Sequence, residues 1–183
     1  MDRHHLKLQL ENYRTPFEEE KAFVNDFIAL TGEPLAYSRL RTSGHFTGSA
    51  WIVNKRRTHT LLTLHRKLNK WLQLGGHADD NENLLDVAVK EAREESGLSS
   101  LRLVDKFIFD IDRHVIPSRV NEPRHFHYDV RFLLEAEIDE PLSISSESKD
   151  LAWINYDVVE ELVMGNPSIM RMLEKTSKSE IFM

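Results

Sequence analysis

Between Gly76 and Leu98 the chain reads G-H-A-D-D-N-E-N-L-L-D-V-A-V-K-E-A-R-E-E-S-G-L. This stretch dictates its own local structure. Asn83 is a good N-cap, and Asp86 three residues later sits where a capping-box acid favours the positive end of a helix. Leu85, Ala88, Val89 and Ala92 recur at i, i+3, i+4 and i+7, which makes one apolar stripe. Gly97 followed by Leu98 supplies a stop: glycine takes the left-handed position and the aliphatic residue folds back. The spacing therefore predicts a helix of about four turns. At about 100° per residue, Glu91, Glu94 and Glu95 fall within one arc of roughly 100° beside the stripe. Three carboxylates on one edge repel each other. They are either a solvated acidic face paired with Lys90 and Arg93, or the oxygen cluster that hard cations such as Mg²⁺ or Mn²⁺ require.

The rest of the chain narrows what that helix belongs to. With 183 residues, the chain can bury about 70% of its unfolded surface around one core. It has 24 basic and 30 acidic side chains, a net charge of -6, which argues against an extended nucleic-acid surface. With no cysteine, disulfides, thiolate metal sites and a cysteine nucleophile are excluded. Residues Met1 to Leu10 contain no apolar h-region, and no apolar run approaches ~18 residues. A cytoplasmic protein without a membrane partner is expected.

Thr15-Pro16 opens a predicted helix over Phe17–Leu30, with Phe23, Phe27 and Leu30 on one face; Gly32 and Pro34 end it. Strands are predicted at 45–54, 59–66 and 70–74 before the helix at the acidic edge. Beyond it come strands at 101–112 and 125–137, a Pro/Ser-rich turn at 141–149, a strand at 151–154, and helices near 156–164 and 167–177. Strands interleaved with a few helices point to an α/β architecture: a mixed β-sheet sandwiched between α-helices. We expect residues 1–40 to be an N-terminal helical extension packed on the core, and 41–183 to be the main domain.

Other residues carry more than one reading. His125-Phe126-His127-Tyr128-Asp129-Val130-Arg131-Phe132 alternates strictly, so His125, His127, Asp129 and Arg131 share one side. That side lines a ligand cleft, holds a paired zinc site, or faces solvent; no further zinc ligand is spaced to help. Phe126, Tyr128, Val130 and Phe132 form the natural core side. Arg41, Arg66 and Lys67 are either phosphate-binding groups or ordinary surface cations. Trp51, Trp71 and Trp153 sit in strand-like runs and read as core, with base stacking as the alternative for one of them.

Gly76, Glu82, Lys90, Glu91, Glu94, Glu95 and Gly97 stand at the spacing G-x5-E-x7-R-E-U-x-E-E-x-G-U, where U is aliphatic. In this pattern the chain resembles the Nudix hydrolases. Six positions are identical, each a roughly one-in-fifteen event, so chance gives about one match in ten million starting positions. Lys90 replaces the family's Arg, and Ala92 is a small apolar occupant of its U position.

The resemblance covers about residues 40–160 and implies the Nudix fold, with the box as a loop-helix-loop on one flank of a mixed sheet. It implies hydrolysis of a nucleoside diphosphate linked to another group, by attack of water on phosphorus with Mg²⁺ or Mn²⁺ bound. Glu91, Glu94 and Glu95 then correspond to the metal-holding carboxylates, and the Gly75 carbonyl to a further ligand. Glu82 and Lys90 correspond to a pair that braces the loop, where lysine keeps the charge but loses the bidentate fork. The general base is the residue matching Glu91 in some members and a later loop glutamate in others. Glu147, in Ser145-Ser146-Glu147-Ser148, is either that base or a turn acid. Arg41, Arg66, His127 and Asp129 are the candidates for contacting substrate.

The stretch from Trp71 to Asp79 with that from His127 to Phe132 looks like a bacterial Nudix subgroup and names no substrate. The isoprenoid diphosphate isomerases rely on a cysteine that is absent here, and decapping enzymes favour a basic RNA path. The implied partner is a small nucleotide or other diphosphate, and a homodimer stays open. The rival reading is a non-catalytic nucleotide-sensing Nudix module, although such modules usually lose box glutamates that are all present here.

Overall fold

The structure is a computed structural model and describes residues 1–118 and 123–178. Its helices are α1 (Arg3–Glu11), α2 (Glu18–Thr31), α3 (Leu84–Ser96), α4 (Tyr156–Leu162) and α5 (Pro167–Lys178). Its strands are β1 (Gly44–Asn54), β2 (His59–His65), β3 (Lys70–Leu72), β4 (Leu74–His77), β5 (Arg102–Leu103), β6 (Asp110–Ile116), β7 (His125–Ala136) and β8 (Ser148–Asn155). They form an eight-stranded sheet along the path β3-β2-β1-β7-β5, with β4 paired to β1, β6 to β7 and β8 to β2. Among the described residues, no helix is long and apolar enough to cross a membrane.

The chain forms two compact units, and β1, α3 and β7 each contribute residues to both. The first comprises Met1–Ser49, Gly75–Ala88 and Lys106–Phe132. The helices before residue 40 are built into it through fully buried Leu6, Leu10 and Phe27. Asp2 caps α1 by accepting from the His5 N–H at 2.8 Å. Phe27 packs edge-on against Tyr128, with ring centroids 5.2 Å apart, and Tyr37 lies 5.0 Å from Phe46. Buried Glu20 accepts from the Tyr13 hydroxyl at 2.6 Å, the Ile111 N–H at 3.2 Å and the Thr15 hydroxyl. A buried carboxylate with three donors is a stable strut between α2 and β6.

The second unit comprises Ala50–Leu74, Val89–Asp105 and Leu133–Met183. Here β2 pairs antiparallel with β1, β3 and β8, and β5 pairs with the end of β7. Trp51 is fully buried, as its strand position predicts, and its indole N–H donates to Thr176 Oγ1 on α5 at 2.8 Å. Trp71 and Trp153 are only half-buried.

Four sequence expectations need adjusting. The strand expected over 101–112 divides into β5 and β6, because the backbone between them finds a partner outside the sheet. The Ile108 N–H donates to Gln9 Oε1 at 2.9 Å, and Gln9 Nε2 donates to the Lys106 carbonyl at 3.3 Å. The strand expected at 70–74 is likewise two, β3 and β4, and β8 begins earlier than expected, at Ser148. In β7 both sides are covered: Asp129 and Arg131 are 1% and 2% exposed and His125 4%, whereas Phe126 is half-buried. The solvent-facing reading of the polar side is therefore overturned. Arg131 can be buried because three carboxylates surround it.

Candidate functional site

The box helix forms where its caps place it. The Asn83 side chain accepts from the Asp86 N–H at 3.3 Å and donates to Asp86 Oδ2 at 2.5 Å. At the other end Gly97 adopts φ +74°, and a Cβ there would lie 2.7 Å from that of Ser143, so glycine is required on both counts. The buried stripe is Leu84, Val87, Ala88 and Ala92, with Leu85 and Val89 half-buried, a rotation from the predicted one. Gly48 accounts for it. A Cβ on Gly48 would come within 2.6 Å of the Leu84 carbonyl and 3.2 Å of Val87, so the strand admits the helix start at close range.

On α3, Glu91 is half-buried, Glu94 is exposed and Glu95 half-buried. Lys90 Nζ lies 3.5 Å from both Glu91 Oε1 and Glu94 Oε2. Burial raises the Glu91 pKa above the usual carboxylate value; Lys90 pulls it down, and the charges of Glu94 and Glu147 push it up. Glu147 is thus within electrostatic reach of Glu91. Its loop is held by Arg66, whose Nε donates to the Ser146 carbonyl at 2.9 Å and whose terminal nitrogen donates to the Ser148 carbonyl at 2.8 Å. The Arg66 N–H also donates to the Glu147 carbonyl at 2.8 Å. The guanidinium is committed to the chain itself. Lys67 is exposed.

Gly75 lies against Ser49, where a Cβ would fall 2.7 Å from the Ser49 Cα. The Ser49 hydroxyl donates to Asp129 Oδ1 at 2.7 Å, and Thr47 to the same oxygen at 2.9 Å. Asp129 Oδ2 accepts from Arg131 Nε at 2.7 Å, and Arg131 also reaches Asp110 at 3.0 Å and Asp112 at 3.3 Å. Burial alone would lower the Arg131 pKa; the three aspartates overcome it and raise it. Asp129 therefore has the chemistry of a buried strut between β1 and Arg131. Arg41 donates to the Ser43 hydroxyl at 2.6 Å and the Gly44 carbonyl at 2.7 Å, and lies 3.5 Å from Glu33.

Glu82 takes Arg3 as partner, at 2.9 Å, so α1 supplies the brace that the resemblance assigns within the box. The loop between β4 and α3, which carries Glu82, is held in place too. Asp79 and Asp80 have φ of 48° and 68°, and Arg39 grips Asp79 through two bonds of 2.5 and 2.7 Å.

The feature that sequence reasoning missed is a group of imidazoles in the first unit. His127 lies 5.0 Å from His45 and 4.8 Å from His77, centroid to centroid, and His45 lies 5.3 Å from His77. His125 stacks on His45 at 5.1 Å, and its Nε2 lies 3.2 Å from that of His127. Burial lowers the His77 pKa to about 4, helped by Arg39 and His45. Burial and the neighbouring imidazoles push His127 far lower. His45, His77 and His127 each offer a ligand atom within 4.8 Å of the others. The members come from β1, β4 and β7, so no spacing in the sequence reveals them.

Fold and box together define an α/β protein of Nudix type. The NUDIX domain family model matches residues 45–174, and the chain belongs to that family. A probable DHNTP pyrophosphohydrolase of Lactococcus lactis is 38% identical over 68 residues, 36% of this chain. The match spans only 39% of that relative's length. Among solved structures, a NUDIX-family hydrolase of Clostridium perfringens is 26% identical with a TM-score of 0.57, covering 73% of this chain and 96% of that one. The Ap4A hydrolase of C. elegans, in a binary complex, shares the fold with a TM-score of 0.60 at 14% identity, over 75% of this chain and 98% of that one.

Proposed function

We propose that this chain is a divalent-metal-dependent hydrolase that cleaves the pyrophosphate linkage of a nucleoside-diphosphate derivative or related phosphoanhydride. The observation that carries the reading is the acidic edge of α3, where burial and the charges of Glu94 and Glu147 hold the Glu91 carboxyl above its ordinary range. Carboxylates strained in this way are relieved by a hard cation, and an oxygen-only donor set suits Mg²⁺ or Mn²⁺. Glu91, Glu94 and Glu95 would hold it; by its place in the box sequence, Gly75 is a further ligand through its carbonyl. When bound, such an ion offsets the charge of the pyrophosphate and of the departing phosphate.

The chain's own part is to place and deprotonate water. Water adds to phosphorus, the bridging P–O bond breaks, and the water's proton passes to Glu91 or Glu147, a step worth about 10²–10⁴ in rate. The Arg66 clamp keeps the Glu147 loop in place. Arg41, Arg66 and Asp129 act in this reading as supports, since their charged groups already hold protein partners.

DHNTP is the first substrate to try, on the strength of the Lactococcus relative. Dinucleoside polyphosphates, nucleotide sugars, ADP-ribose, NADH and nucleoside triphosphates complete the panel, with the cleavage products separated by ion-exchange chromatography as the readout. Turnover of at least one compound with Mg²⁺ or Mn²⁺, abolished by EDTA, is expected. Turnover that survives chelation and extensive dialysis removes the metal assignment. Binding without cleavage across the panel would make the chain a nucleotide-sensing module instead.

A further inference from the structure

We propose that His45, His77 and His127 form a binding site for a borderline divalent ion, Zn²⁺ foremost, chemically separate from the carboxylates of the box helix. The three rings converge from β1, β4 and β7, with one ligand atom from each lying within 4.8 Å of the others. Around a tetrahedral Zn²⁺, nitrogens bound at about 2.0–2.1 Å are ~3.3 Å apart, so binding asks each ring to move by about 1 Å. His45 is 2% exposed, and the other two are half-buried. An ion there is sheltered but reachable.

The donor set decides which ion. Nitrogen-only coordination suits Zn²⁺ and its transition-metal neighbours, whereas Mg²⁺ and Ca²⁺ require oxygen. The surroundings also orient the rings as metal ligands need. His45 Nδ1 lies 3.4 Å from the Arg41 carbonyl. A ring that donates there presents Nε2 as its lone-pair nitrogen. His125 repeats the pattern, with Nδ1 2.9 Å from the Pro123 carbonyl and Nε2 3.2 Å from His127 Nε2. With His125 Nε2 as acceptor, His127 donates from Nε2 and keeps Nδ1 for a ligand bond. His125, with both nitrogens so engaged, stacks on His45 as a support, and the fourth position falls to water.

Packing alone does not call for this arrangement. Each imidazole brings two polar nitrogens that a buried site must satisfy, and an aliphatic side chain fills the same space without them. An ion joining the three rings ties β4, which leads into the box, to β1 and β7.

The test uses the full chain carrying no histidine tag, stripped with a chelator and titrated with Zn²⁺ in the presence of excess Mg²⁺. One equivalent should bind and raise the melting temperature by mass action. Glu94→Gln/Glu95→Gln should retain that equivalent, while His45→Gln and His127→Gln should each weaken it at least about 100-fold. Zn-edge X-ray absorption on the unaltered protein covers the case in which a variant fails to fold: an imidazole-rich shell supports the site. An all-oxygen shell, or an equivalent lost with the glutamates and kept without the histidines, overturns it. The measurement reads binding alone, so it stands or fails apart from hydrolysis.

Discussion

The Arg3 guanidinium lies 2.9 Å from the carboxylate of Glu82, and the Arg3 N–H lies 3.3 Å from the same group. The first helix thereby holds a residue of the box loop from 79 positions away. Both side chains are partly exposed, so Arg3→Ala should cost no more than about 1 kcal/mol in unfolding. Its effect should be local. Amide exchange at residues 78–83 should speed up while that of α3 stays constant. Unchanged exchange in the loop would leave Arg3 as a surface pair of no consequence.

Asp129 offers a sharper test, because the alternating pattern of β7 made it look replaceable. Removing its carboxylate strips Arg131 of one partner and leaves the Thr47 and Ser49 hydroxyls without their acceptor. Breaking a buried ion pair from one side costs about 3–5 kcal/mol, and Asp129→Ala should lose that much in urea unfolding. Phe132→Ala, at a fully buried ring, should lose a similar about 3–5 kcal/mol. A loss below about 0.5 kcal/mol at Asp129, the range of ordinary surface changes, would remove the strut.

These residues show what the sequence made legible. The box helix was readable because Asn83, Asp86 and Gly97 are local signals that act through their own backbone neighbours, and its glutamates fall on one edge by helical arithmetic. The strands were readable in place but not in number: Gln9 parts β5 from β6, the stretch at 70–74 divides into β3 and β4, and β8 starts at Ser148. Alternation in β7 correctly separated two sides but said nothing of what covers them; that depends on Asp110, Asp112, Thr47 and Ser49, all remote in sequence. The same limit hid the imidazoles. His-x-His was visible, but His45 and His77 join it only through the pairing of strands.

Among the box residues, Glu94→Gln and Glu95→Gln should each lower turnover by at least about 10²-fold, as for a lost metal contact. Their folds should persist, and the melting temperature of the metal-free protein should hold or rise as carboxylate repulsion is relieved. Lys90→Arg, which keeps the charge beside Glu91 and Glu94, should be tolerated. Inactivity of Lys90→Arg with a fully active Glu95→Gln would reverse these roles.

Acid should loosen the exit of the box helix through Glu140. Its carboxylate accepts from the Ser99 N–H at 2.7 Å, the Ser99 hydroxyl at 2.6 Å and the Ser100 N–H at 3.0 Å. Hydrogen bonds from Ser100 and Ser99 hold its pKa down at about 2, against 4.5 for an ordinary glutamate. The folded state binds its proton less readily than the unfolded chain, so the contribution is complete above about pH 4.5 and disappears as pH falls toward 2. A carboxyl-detected NMR titration should place the Glu140 midpoint well below those of free glutamates. A midpoint near 4.5 would mean that the serine cradle does not form.

Arg66 should act on catalysis through Glu147 rather than through substrate. Its side chain spans the carbonyls of Ser146 and Ser148, which fixes the loop that carries the glutamate. Arg66→Ala removes both bonds and should lower kcat while leaving KM within about a factor of 3, because a group that merely positions another contributes little to ground-state binding. Lysine lacks the planar fork that reaches two carbonyls at once, so Arg66→Lys should recover little of the loss. If Glu147 is the base, Glu147→Gln should lower kcat further, and adding Arg66→Ala to it should change almost nothing. A rise in KM with kcat preserved in Arg66→Ala would return this arginine to the phosphate-binding role that its charge first suggested.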